Sequence, residues 1–202
     1  MTGLDFGFIL LSYLLGAIPF GYLIAKYIYG LDIRELGSKS TGATNVYRCI
    51  SKKAGVLVFI LDFLKGYVPL IIYLQLNTNS KLITLNYSYI ALIIAFMAML
   101  GHSKSIFLNW SGGKSAATGL GTIFALDFRV GFLSFIFWFT IVVIFRIVSL
   151  ASLLTSLLTI ILMYLFKNPL PFTLYCLLGF IFVSIRHKDN IIRMIHNEEA
   201  KI

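Results

Sequence analysis

Three polar stretches interrupt an otherwise lipid-soluble chain, and each carries groups suited to anions. The first, LGSKSTGATNVYR at residues 36–48, sets Gly37 and Gly42 around Ser38, Lys39, Ser40 and Thr41, then adds Thr44, Asn45 and Arg48. Glycines let backbone amides converge on an anion, hydroxyls supply further donors, and a guanidinium fork matches phosphate. The same composition also suits a helix-capping loop in which Ser and Thr serve the turn. The second, GHSKSIFLNWSGGKSAATGLG at residues 101–121, places Gly112, Gly113 and Lys114 ahead of a helix start, where backbone amides and an ammonium group attract phosphate. Its alternative use is close helix packing through Ala117, Gly119 and Gly121. The GGKS within it is not a nucleotide-binding loop. Leu108 stands where that motif needs its first glycine, and no hydrophobic strand precedes it. The third, RHKDNIIRMIHNEEAKI at residues 186–202, sets His187 and Asn190 on one helical face beside Arg186 and Arg193. Histidine can work as a general acid or base, while a basic juxtamembrane helix can equally lie on anionic lipid.

The elements that must position these stretches are apolar helices. Of the 202 residues, 59% are hydrophobic and 12% charged, against roughly 45–50% and about 25% in soluble domains. Such a chain needs the bilayer as solvent. Continuous apolar runs predict seven transmembrane helices at 4–24, 55–74, 84–101, 115–127, 130–145, 150–166 and 170–186. The fourth is the shortest and bears glycines. Pro19, Pro69, Pro169 and Pro171 fall near span ends or bends. The expected fold class is therefore an all-α integral membrane protein, with residues 1–202 forming a single polytopic domain. The N-terminal segment lacks the basic region of a cleavable signal and is expected to be retained as the first span.

Charge tests this division. With the N-terminus outside and the C-terminus cytoplasmic, 13 of the 17 Lys and Arg residues lie inside. Lys81, Arg129 and Lys167 lie outside, and Lys65 lies within the second span. That bias is what the positive-inside rule requires. Omitting the fourth span would move Arg146 and the basic tail outside. The formal net charge of +9 thus reflects orientation first and an anionic substrate or lipid headgroup second. Nucleic acid is not an expected partner, because the basic residues sit in short loops between spans. Cys49 and Cys176 lie far apart, without metal-ligand spacing. Asp62 and Lys65, three residues apart inside a span, are expected to form a structural ion pair. All three polar stretches face the same side, and together they call for a phosphate-bearing substrate at the membrane surface.

The set GSKSTGATNVYR, GHSKSIFLNWSGGKSAATG, RIVSLAS and RHKDNIIRM, with LDFLKG in the second span, resembles the acyl-phosphate:glycerol-3-phosphate acyltransferases, the bacterial PlsY family. The similarity runs in order over nearly the whole chain. It implies a seven-helix enzyme of the cell inner (plasma) membrane with its active site facing the cytoplasm. The implied reaction moves a fatty acyl group from acyl phosphate to the sn-1 hydroxyl of glycerol 3-phosphate, giving 1-acylglycerol 3-phosphate and phosphate, without metal or other cofactor. The resemblance assigns catalytic roles to Ser38, Arg48, Lys114, His187 and Asn190. It assigns substrate binding to Gly37, Gly42, Thr44, Asn45, Gly112, Gly113, Ser149 and Glu199. Acyl phosphate, glycerol 3-phosphate and membrane lipid are the implied partners, with no protein partner assigned.

Departures from the family's motifs mark this chain, among them Ser105 where proline is frequent in the second motif. Lys39, Ser40 and Thr41 replace the Gly, Asn and Pro common in the family's first motif, and Ser115 replaces the last glycine of GGKG. The HxxxxD signature of other acyltransferases is absent, since Phe107 and Ile192 follow His102 and His187 at the acidic position. The rival reading from another class is a transporter of a phosphate-bearing solute. Against it, the polar groups gather at one face and no repeat symmetry is visible.

Overall fold

The computed structural model describes residues 2–78 and 85–202. The described residues form ten α-helices and one short 3-10 turn, Ile106–Leu108, and their only extended pairing is an isolated bridge between Ser105 and Ser111. The chain divides into two compact units, Met1–Thr122 and Ile123–Ile202. The first holds α1 (Gly3–Ala17), α2 (Phe20–Tyr29), α3 (Ala43–Cys49), α4 (Lys52–Thr78), α5 (Leu85–Ser103) and the first part of α6 (Ala116–Leu126). The second holds the end of α6, then α7 (Phe128–Phe145), α8 (Val148–Leu165), α9 (Leu170–Arg186) and α10 (Lys188–Ile195). Lys81, expected in an outer loop, and residue 84, the expected start of the third span, lie outside the described residues.

In the first unit α1 packs on α5 and α4, and α4 also packs on α2, α3 and α5. A capping box starts α1: the Asp5 amide donates to Thr2 Oγ1 (3.3 Å), and the Thr2 amide donates to Asp5 Oδ2 (2.6 Å). Small residues let backbones meet. A Cβ on Gly16 would strike the Ala98 backbone of α5, and one on Gly121 would strike the Phe63 backbone of α4. Ile24, Ala25, Ile33, Val46, Ala54 and Val58 close a core under the first polar loop. In the second unit α7 packs on α8, α8 on α9 and α9 on α10. Asp127 caps α7 by accepting from the Arg129 amide at 2.8 Å, and Asn168 Nδ2 donates to its other oxygen at 2.9 Å.

Helices occupy each segment expected to span, with two physical differences. The segment 4–24 is two helices rather than one, bent by 40° between α1 and α2. Pro19 lacks an N–H and holds Ile18 extended (ψ 116°), so the helix cannot run through. Secondly, α6 has only 11 residues, about 16 Å at 1.5 Å per residue, against a hydrocarbon core of about 30 Å. Among the described residues, three helices are long and apolar enough to cross a membrane: Lys52–Asn77, Phe128–Phe145 and Val148–Leu165. The count rises to five if each bent pair, α1 with α2 and α9 with α10, is one span. Large apolar side chains such as Phe6, Phe139, Ile161 and Leu178 point outward, as lipid-facing helices require.

Candidate active site

The first polar loop is organised around one amide. Asn45, buried on α3, accepts the Ser38 amide on Oδ1 at 3.0 Å. Its Nδ2 donates to the carbonyls of Ile33 (3.3 Å), Leu36 (3.0 Å) and Ser40 (2.9 Å). One side chain thus ties together four points of a segment that has no regular structure of its own. Gly37 is required twice over. Its φ is 53°, and a Cβ there would lie 2.5 Å from Asn45 Oδ1 and 2.6 Å from Cys49 Sγ. Gly42 caps α3, its amide donating to Ser40 Oγ at 3.3 Å. Ser38 is exposed, while Thr44 and Arg48 are half-buried on α3.

Gly112, Gly113 and Lys114 link the Ser105–Ser111 bridge to α6. The Gly113 amide donates to the His102 carbonyl at 3.0 Å. Both glycines lie so close to His102 that a Cβ on Gly112 would meet its carbonyl oxygen, and one on Gly113 its Nε2. Ser115 holds the next turn: its φ is 64°, and its buried hydroxyl donates to the Met99 carbonyl at 2.7 Å. Lys114 is half-buried, two residues before α6 begins.

The second unit gathers a different set. Ser149 Oγ and Asn190 Nδ2 both donate to Glu199 Oε1, at 2.8 and 2.6 Å, and Arg193 Nε donates to Oε2 at 2.8 Å. Burial raises the Glu199 pKa, but the hydrogen bonds from Asn190, Arg193 and Ser149 outweigh it and hold the carboxyl below its ordinary value. Ser149, Asn190 and Glu199 are all buried, and the Ile202 amide donates to the Arg146 carbonyl at 2.9 Å, tying the tail to the α7–α8 junction. His187 joins α9 to α10 at a bend of 66°. It is buried, and its Nδ1 lies 2.8 Å from the Val183 carbonyl. That partner accepts only, so Nδ1 carries the proton in this contact. The acid of this unit bonds Ser149 directly rather than through a histidine, so the arrangement is not a Ser–His–acid relay.

Each unit therefore brings its own expected residues together: Gly37, Ser38, Gly42, Thr44, Asn45 and Arg48 in one loop and helix, and Ser149, Asn190 and Glu199 in one network. Two further participants were not among the expected site residues. Arg193 follows Asn190 by three residues, a spacing that puts it on the same helical face. His102 stands 11 positions before Gly113, and no local periodicity links the two. Among the described residues, no three His, Cys, Asp or Glu side chains gather closely enough to hold a metal ion.

Comparison with known proteins matches this arrangement to one family. The family model for glycerol-3-phosphate acyltransferase matches residues 6–197. A glycerol-3-phosphate acyltransferase of Nostoc sp. (strain PCC 7120) is 42% identical, with 96% of this chain and 90% of the relative covered. Another of that description from Prochlorococcus marinus (strain NATL1A) is 40% identical, with 95% and 94% covered. Among solved structures, the glycerol 3-phosphate form of PlsY (YgiH), an integral membrane glycerol 3-phosphate acyltransferase, is 34% identical with a TM-score of 0.90, covering 99% of this chain and 96% of that one. Its lysophosphatidic acid form gives a TM-score of 0.88 at the same identity. An all-helical chain with lipid-facing helices, glycine-built polar loops and such matches along nearly its full length belongs to the glycerol-3-phosphate acyltransferase family, as a PlsY-type membrane enzyme.

Proposed function

We propose that this enzyme transfers the acyl group of an acyl phosphate to the sn-1 hydroxyl of glycerol 3-phosphate, releasing phosphate and 1-acylglycerol 3-phosphate. The acceptor and product in this reading are supported by the solved relative in both a glycerol 3-phosphate and a lysophosphatidic acid form, at a TM-score of 0.90 and 0.88. Those two ligands are the acceptor and product of this reaction.

The chemistry asks mainly for orientation and neutralised charge, because acyl phosphate is a mixed anhydride with a good leaving group. The sn-1 oxygen forms the new ester bond to the acyl carbon, the acyl carbon–oxygen bond to phosphate breaks, and the hydroxyl proton ends on the departing phosphate. Gly112, Gly113 and Lys114 hold the phosphate of glycerol 3-phosphate through backbone amides and the ammonium group. Ser38 and Arg48, on the frame built by Gly37, Gly42, Thr44 and Asn45, hold the acyl-phosphate head and stabilise the charge that develops on it. His187 Nε2 accepts the sn-1 hydroxyl, which aligns it for attack. Asn190 and Ser149 serve binding in the orientations that Glu199 enforces. Residues 1–202 act as one catalytic domain with seven crossings, the N-terminus outside, in the cell inner membrane, and the reaction takes place at the cytoplasmic face.

The test is single substitution in purified enzyme. Ser38→Ala and His187→Ala are expected to lose turnover while retaining the wild-type thermal unfolding profile. Near-normal turnover in either variant would remove that residue from the scheme. Uptake of glycerol 3-phosphate into proteoliposomes without acylation would favour the transporter reading instead.

A further inference from the structure

Behind the Gly112–Lys114 loop lies a buried charge cluster with no part in the scheme above. Asp62 Oδ1 on α4 is 2.7 Å from Lys65 Nζ and 3.4 Å from His102 Nδ1 on α5, and the three side chains are 2–6% exposed. Lys65 Nζ also donates to the Ile18 carbonyl at 2.9 Å, at the bend between α1 and α2. His102 faces the loop with its other groups. Its carbonyl accepts the Gly113 amide at 3.0 Å, and its Nε2 edge rests on Gly113 so tightly that no Cβ would fit.

A buried ion pair is weak support for stability, because desolvation offsets most of the attraction, and apolar residues of the same size often do as well. Inside a membrane span the cost is larger still. What apolar packing cannot do is set a carboxylate charge 3.4 Å from an imidazole nitrogen. The ring is set between the Asp62 carboxylate at Nδ1 and Gly113 at Nε2, and Lys114 is the next residue along. We infer that Asp62, Lys65 and His102 are positioning residues that fix the Lys114 loop and so set the affinity for glycerol 3-phosphate. The inference rests on the proposed role of that loop as the phosphate site.

Steady-state kinetics of purified variants test it, with KM measured separately for glycerol 3-phosphate and palmitoyl phosphate. Asp62→Asn is expected to raise the KM for glycerol 3-phosphate about tenfold, since small displacements of binding groups carry effects of this size. The kcat should fall much less, and the KM for palmitoyl phosphate should not change. The double variant Asp62→Asn/Lys65→Met removes the unpaired ammonium, so it should recover folded yield while keeping the raised KM. Asp5→Asn is the comparator, because it removes another buried carboxylate of this unit, one that accepts from Tyr73 OH at 2.9 Å. It should lower thermal stability and leave both KM values alone. An Asp62→Asn or double variant with wild-type KM for glycerol 3-phosphate, or one that saturating glycerol 3-phosphate does not restore, would overturn the inference. Lys114→Ala separates the two levels. A raised KM there with none in Asp62→Asn defeats the positioning role alone, whereas an unchanged KM in Lys114→Ala defeats the loop assignment and this inference with it.

Discussion

Gly37, Lys39 and Ser115 hold positive φ at 53°, 57° and 64°, but they meet that constraint differently. Gly37 has no Cβ to clash, and adding one drives it into Asn45 and Cys49. Gly37→Ala should therefore cost about 1–2 kcal/mol for the left-handed backbone and a further 1–3 or so for overpacking. A lower unfolding midpoint and a raised KM are the expected readouts. Ser115 offsets its backbone cost with the hydrogen bond to Met99, roughly 1 kcal/mol against roughly 1 kcal/mol. Ser115→Gly should thus leave stability nearly unchanged, and a large loss would show that the hydroxyl does more than hold the turn. Glu199 sets the pH response of its network. Its folded pKa lies below the ordinary value of 4.5, so its stabilising contribution is complete above 4.5 and is lost as pH falls through the lower folded value. Unfolding midpoints across the pH range should show this contribution constant above 4.5 and declining as the pH drops below 4.5 towards the lower folded value. In Glu199→Gln the midpoint should start lower at neutral pH, and its acid dependence should be weaker.

Among the elements, α6 shows what hydropathy conceals. Its segment is apolar and short, and its glycines serve close packing: Gly121 meets the Phe63 backbone, while Gly66 of α4 meets the Thr118 carbonyl. Gly121→Ala should wedge α4 from α6 and lower the unfolding midpoint by the equivalent of about 1–3 kcal/mol, a loss that thermal unfolding in detergent would detect. A neutral effect would mean that the two backbones do not meet. Helix existence was legible in the apolar runs, which leave few alternatives in lipid, but not for α3, which lies inside the first polar stretch. The bend at Pro19 was not, since proline near a span end fits a termination as well as a kink. The grouping of polar residues in one loop and helix was legible where they are neighbours in the chain, as in Gly37–Arg48. The role of Asn45 as the hub of its loop, and the contact of His102 with Gly113, depend on turns and helix packing that spacing alone does not encode.

At the scale of the whole molecule, charge distribution carries the orientation. Thirteen of 17 basic residues fall on one side of the seven-span reading, so Lys104 and Lys201 should be cytoplasmic, with Arg129 and Lys167 on the opposite face. Single cysteines placed at those positions in a Cys49→Ala/Cys176→Ala background should label from opposite sides in oriented membrane vesicles. Labelling of Arg129 and Lys104 positions from the same side would break the topology at α6. The central claim is the reaction itself, and it is tested most directly by supplying purified enzyme with palmitoyl phosphate or palmitoyl-CoA and labelled glycerol 3-phosphate. With palmitoyl phosphate, 1-acylglycerol 3-phosphate and inorganic phosphate should appear in equal amounts, with no comparable product from palmitoyl-CoA. Product from palmitoyl-CoA alone, or none from either donor, would contradict it.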